Sequence, residues 1–72
     1  MDKLFEITEG IYAEVTEWRG AKRVDIRKWY ETKTGELART QKGINMSLEE
    51  WANFCIKFEE IKKYVETELA KE

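Results

Sequence analysis

Apolar and polar residues alternate through the first two-thirds of the chain, and spacings of three and four replace that alternation in the last third. Phe5 and Ile7, then Ile11, Ala13 and Val15, then Val24 and Ile26 fall at every second position, the period of strands with one buried face. Gly10, Gly20, Gly35 and Gly43 punctuate these runs, while the last twenty-nine residues contain neither glycine nor proline. The pattern predicts strands near Lys3 to Glu9, Ile11 to Arg19, Lys22 to Glu31 and Leu37 to Lys42, joined by short turns as an antiparallel meander. Strict alternation past Ile26 sends Lys28 into the core and Trp29 out of it, so a β-bulge at Arg27 or Lys28 is expected. That bulge turns Lys28 and Tyr30 outward and buries Trp29.

Ser47 followed three residues later by Glu50 reads as a capping box, and Glu49 and Glu50 suit the positive end of a helix dipole. From there Leu48, Trp51, Phe54, Cys55, Phe58, Ile61, Val65 and Leu69 draw one apolar stripe, widened by Tyr64. The expected architecture is α+β in a single domain over residues 1–72: a curved four-stranded antiparallel sheet over 1–46 and one long C-terminal helix over 47–70. That helix outruns strands of this length, since 1.5 Å per residue makes it roughly 36 Å long. Phe58, Ile61, Tyr64, Val65 and Leu69 are therefore the expected interface of a homodimer.

Chain length sharpens this expectation, because 72 residues hide only about 60% of their unfolded surface. One cysteine permits no internal disulfide, and without histidine no structural zinc of the usual kind takes its place. The missing histidines also remove the commonest general base and the usual partner of a serine or cysteine nucleophile, so neither catalysis nor a cofactor nor a metal is expected. Cys55 lies in the apolar stripe and is read as a buried thiol. The pairs Glu49-Glu50 and Glu59-Glu60 are adjacent, do not share a helix face, and are read as solvated surface. No apolar run approaches the ~20 residues that cross a bilayer, and a soluble protein of a reducing compartment is expected.

The formal net charge is −2, but it is unevenly spread. Between Trp18 and Gly43 stand Arg19, Lys22, Arg23, Arg27, Lys28, Lys33, Arg39 and Lys42 against only Asp25, Glu31 and Glu36. Alternation sets Tyr12, Glu14, Thr16 and Trp18 beside Asp25 and Arg27 on the face away from the core. Flat rings next to cations suit unstacked bases and their phosphates, which points to single-stranded nucleic acid. The competing reading is a solvated charged face, or a surface that docks another protein.

The segments F-E-I (5–7), W-R-G (18–20), V-D-I-R-K-W-Y (24–30), G-E-L (35–37), K-G-I-N-M-S (42–47) and E-E-W (49–51) together resemble the transcriptional coactivator family known as positive cofactor four. The resemblance covers nearly the whole chain in order. It implies a homodimer of curved sheets joined through the C-terminal helices, binding single-stranded DNA without sequence preference in transcription, replication or repair. RNA and melted duplex are the alternative strands, and the transcription machinery is the implied partner. Matched by position, Trp18 is the stacking aromatic, Arg27 and Tyr30 are the arginine and aromatic of the third strand, and Arg19 and Lys42 contact the backbone. Lys28 lies beside them.

The sequence departs from the family where basic positions are occupied by Glu9, Ile11, Thr16, Ala21 and Ala38. That lowers the expected affinity, and Lys22, Arg23 and Arg39 are the nearby cations that compensate. The chain begins at the domain itself, without the serine-rich tail of eukaryotic members. The resulting expectation is a stand-alone prokaryotic or phage protein of the cytoplasm and nucleoid, with the nucleus as the site in a eukaryote.

Overall fold

The first two turns are set by glycine. In a computed structural model describing residues 4–71, β1 (Phe5–Thr8), β2 (Ile11–Trp18), β3 (Ala21–Glu31) and β4 (Leu37–Ser47) form one antiparallel sheet in the order β1-β2-β3-β4, followed by α1 (Leu48–Leu69). Lys3, the expected start of the first strand, lies outside the described residues. Trp18 pairs with Ala21, which leaves Arg19 and Gly20 as a two-residue loop with φ of 52° and 78°. Positive φ at both positions is what a hairpin turn of the strand-matching hand requires, and glycine adopts it without steric cost. β2 therefore stops at Trp18, one residue earlier than the alternation alone predicts.

β2 and β3 pair without interruption from Trp18↔Ala21 to Ile11↔Lys28, so alternation along β3 is never broken. The expected bulge in β3 is absent from its pairing with β2. The irregularity lies instead on the β4 side: Arg27 pairs with Gly43 and Trp29 with Arg39, leaving Thr40, Gln41 and Lys42 opposite Lys28 alone. Thr40 makes this possible by serving backbone groups that the ladder releases. Its hydroxyl donates to the Lys28 carbonyl at 2.7 Å and accepts from the Lys42 amide at 3.1 Å. As a consequence Trp29 does not enter the apolar face. Its ring lies edge-on to Tyr12, 6.2 Å between centroids, on the same side as Arg27 and beneath Arg39. Lys28 and Tyr30 alternate to the other side, where both remain exposed because the helix does not reach them.

A second irregularity falls in β1, where Glu6 pairs with Tyr12 but Thr8 with Ile11. Ile7 is the extra residue, so Thr8 rather than Ile7 stands beside Ile11. β4 also continues past Lys42, through Gly43, to Ser47, which caps the helix directly. The Ser47 hydroxyl accepts from the Glu50 amide at 3.1 Å, and the Glu50 carboxylate accepts from the Ser47 amide at 2.8 Å, forming the expected capping box.

The apolar face gathers Phe5, Ala13, Val15, Val24 and Trp51 around a shallow hollow. Among the described residues only Val24 and Met46 are buried apolar residues, and α1 buries none of its own side chains. α1 packs on β3 and β4 at its N-terminal end, where Trp51 and Phe54 are half-buried, and at 22 residues its remaining length stands clear of the sheet. Cys55, expected to be buried, is exposed within this chain because the stripe carrying it is uncovered. Among the described residues no helix is long and apolar enough to cross a membrane.

Candidate nucleic-acid interface

On the side of the sheet away from α1, β2 contributes Tyr12, Glu14, Thr16 and Trp18, β3 contributes Arg23, Asp25, Arg27 and Trp29, and β4 contributes Arg39 and Asn45. Asp25 is the centre of this surface, with 0% of its area exposed. Arg27 grips it with two parallel bonds, Nε to Oδ2 and Nη2 to Oδ1, both 2.7 Å. The Asn45 amide donates to Oδ1 at 3.2 Å, and Arg39 Nη2 lies 3.2 Å from Oδ2. A buried carboxylate persists when its lone pairs are filled in this way. The Arg27 hydrogen bonds hold the Asp25 carboxyl below its usual value of 3.8 against the opposing effect of burial, with Asn45 and the Arg27 and Arg39 charges adding to the same direction.

Arg27 is correspondingly fixed. Its side chain is 16% exposed, and Nη1 donates to the Thr40 carbonyl at 2.8 Å, so three of its five N–H groups are engaged within the sheet. The Asp25 carboxylate raises its pKa further above the ordinary arginine range. Gly43 lies directly opposite, and its missing Cβ is what lets β4 approach Arg27 this closely.

Trp18 stands at the end of β2 and is 62% exposed, with the Arg19 guanidinium 4.5 Å from its ring centroid. Beside it, Thr16, Arg23, Arg39 and Asn45 line an open groove of about 580 Å3. Arg39 is 47% exposed and reaches both Asp25 and, at 4.0 Å, Glu14.

Of the residues singled out in the sequence, Trp18, Arg19, Arg23, Arg27 and Arg39 come together on this face. Lys42 lies exposed in the irregular stretch of β4. Lys22, Lys28 and Tyr30 alternate to the helix side. The central basic block is therefore divided between two faces, and three arginines on the side away from α1 stand against Glu14 and Asp25. The sequence reading gave no role to Asn45 or Thr40, set Asp25 on the outer face without one, and assigned Trp29 to the core. The fork of Asp25 and Arg27 two residues apart on one strand face was the available signal, since such residues share a face by the period of the strand.

These features define a class: a small antiparallel meander that keeps one helix on its apolar side and presents rings and oriented guanidinium groups on the other. Residues 5–56 match the family described as Transcriptional Coactivator p15 (PC4). The chain is 38% identical over 52 residues to an RNA polymerase II transcriptional coactivator of Drosophila melanogaster, an alignment covering 72% of this chain and 46% of that protein. It thus spans about half the length of that relative. Among solved structures, it is similar to that of a MoSub1-DNA complex, reported to show a novel DNA binding mode, with a TM-score of 0.78, 19% identity, and coverage of 93% of this chain and 84% of that one. The chain belongs to the PC4 family of transcriptional coactivators, as its sequence motifs imply, and carries that fold.

Proposed function

We propose that the protein binds single-stranded nucleic acid, chiefly DNA, on the sheet face opposite α1, as a homodimer joined through that helix, and that it acts without catalysis at melted DNA during transcription. The observation that carries this reading is Trp18: a large indole held open to solvent beside Arg23, Arg39 and the Arg19 cation. Stacking a base on such a ring contributes about 1–3 kcal/mol whatever the base. The DNA bound by the similarly folded MoSub1 and the coactivator role of the Drosophila relative favour DNA and transcription over other partners. In a eukaryotic host this reading has the protein act in the nucleus.

Trp18→Ala is expected to weaken binding of a labelled deoxythymidylate oligomer about tenfold in low salt, by fluorescence anisotropy, with the thermal melt unchanged. Parent-like affinity in that variant rules out stacking. Unlabelled RNA and duplex DNA as competitors identify the preferred strand. No anisotropy change at tens of micromolar, on the order of weak non-specific binding, turns the reading toward a protein partner. Binding should weaken as salt rises, because Arg19 and Lys42 pair with no carboxylate among the described residues and remain available to phosphates.

The dimer is supported by what the chain leaves uncovered. Phe58, Ile61, Tyr64, Val65 and Leu69 are all exposed, along a helix that buries nothing of its own. Apolar surface of this extent, with two buried apolar residues among those described, calls for a partner. Sedimentation at micromolar concentration should give twice the chain mass, and Ile61→Glu should raise the dissociation constant roughly a hundredfold by placing a charge in the interface. A parent protein that sediments as a monomer at all concentrations removes the helix-mediated dimer.

A further inference from the structure

The groove beside Trp18 has a more specific chemistry than a cationic track. Arg23 Nε donates to Asn45 Oδ1, and the Asn45 amide donates in turn to buried Asp25. This chain of bonds, anchored on a carboxylate with no solvent exposure, aims the Arg23 guanidinium from behind. Both of its terminal nitrogens stay without a partner among the described residues, and Arg23 lines the groove. They form a fork of parallel N–H donors. Trp18 supplies the adjacent flat wall. Arg19 sits over the indole at 4.5 Å, so a stacked ligand takes the ring's other side.

Two kinds of acceptor match an arginine fork: a phosphate, or the O6 and N7 edge of guanine. Charge decides between them. Arg23 and Arg39 border this space, and Arg39 is already bonded to buried Asp25 and reaches Glu14. Arg23 has no carboxylate partner among the described residues, so a phosphate entering the groove meets one uncompensated guanidinium rather than a cationic track. A neutral base edge needs only that one fork. About 580 Å3 also exceeds what one phosphate fills and accommodates a nucleobase.

We infer that this groove is a guanine subsite, in which Trp18 stacks the base and the Arg23 fork holds its O6 and N7. The inference deepens, and rests on, the single-strand reading. It predicts a strand binder that tolerates any sequence yet favours a guanine at one position.

The test compares a deoxythymidylate oligomer, the same oligomer with one central guanine, and its 7-deazaguanine counterpart, by anisotropy on the parent and on Arg23→Lys. The guanine strand should bind about tenfold tighter than the all-thymine strand, the magnitude of one good bidentate contact. The preference should vanish with 7-deazaguanine, which stacks but lacks the N7 acceptor. Arg23→Lys, which keeps the charge and loses the fork, should also abolish the preference, read as the ratio of guanine-strand to all-thymine-strand affinity within that variant. A thermal melt confirms that the variant is folded. Equal affinity for the guanine and thymine strands overturns the guanine subsite and leaves single-strand binding standing, as does a preference that survives in Arg23→Lys. Failure of all three strands to bind overturns both.

Discussion

Asp25→Ala is expected to lower the unfolding free energy by about 3 kcal/mol, the low end of what removing one partner from a buried ion pair costs. The low end applies because Arg39 is half exposed and water can solvate it once released, whereas Arg27, at 16% exposure, keeps its charge in a confined place. Marginal stability of about 0.05–0.15 kcal/mol per residue makes such a loss a large fraction of the total for a chain of 72 residues. Urea denaturation of parent and variant, at one protein concentration, measures it.

The pH dependence follows from the direction of the Asp25 shift. Its folded pKa lies below the ordinary 3.8, chiefly through the Arg27 hydrogen bonds, so the folded state binds the proton more weakly than the unfolded chain does. The stabilisation is therefore present above the unfolded value and is lost as pH falls through the lowered folded one. Parent and Asp25→Ala should differ by a constant amount near neutral pH and converge below about pH 4. A gap that persists unchanged into strong acid assigns the effect to packing rather than to the carboxylate charge.

Gly43→Ala is expected to be at least as damaging, about 3 kcal/mol or more. A Cβ at position 43 lies 2.1 Å from Arg27 Cβ and 2.8 Å from both Arg27 Cα and the Ile26 carbonyl oxygen. Two of these three neighbours are backbone, so relief requires β3 and β4 to part rather than a side chain to rotate. Separation there also pulls Arg27 from the Thr40 carbonyl and disturbs its fork on Asp25. Loss of the cooperative circular-dichroism melt, or a large drop in its midpoint, is the expected result. A parent-like melt shows that the strands tolerate the wider spacing.

Gly43 shows how the sequence misleads and how it informs. Read along the chain, it is one more glycine at a boundary and suggests that the fourth strand ends at Lys42. In the fold it lies inside β4, and its role is set by Arg27, sixteen residues earlier. Trp29 is a comparable case. Burial of a large ring and avoidance of a buried lysine both argued for a bulge in β3, but they weighed a core that the single chain scarcely builds. β4 absorbs the irregularity through Thr40, alternation continues, and Trp29 joins Tyr12 and Arg39 on the polar side.

Sequence alone determined the meander, its first two glycine turns, the capped helix and its apolar stripe, because each depends on local periodicity, turn chemistry or residues three or four apart. It also placed Trp18 and Arg27 on the outer face, since a strand's period of two is itself local. Only the tertiary structure decided how the basic block divides between faces, that a carboxylate organises the arginines, and that Gly43 permits their approach. Those outcomes depend on cross-strand register, which β4 shifts by two residues opposite Lys28. Register is fixed by pairing between segments distant in the chain, and hydrophobic alternation is unchanged by a slip of two.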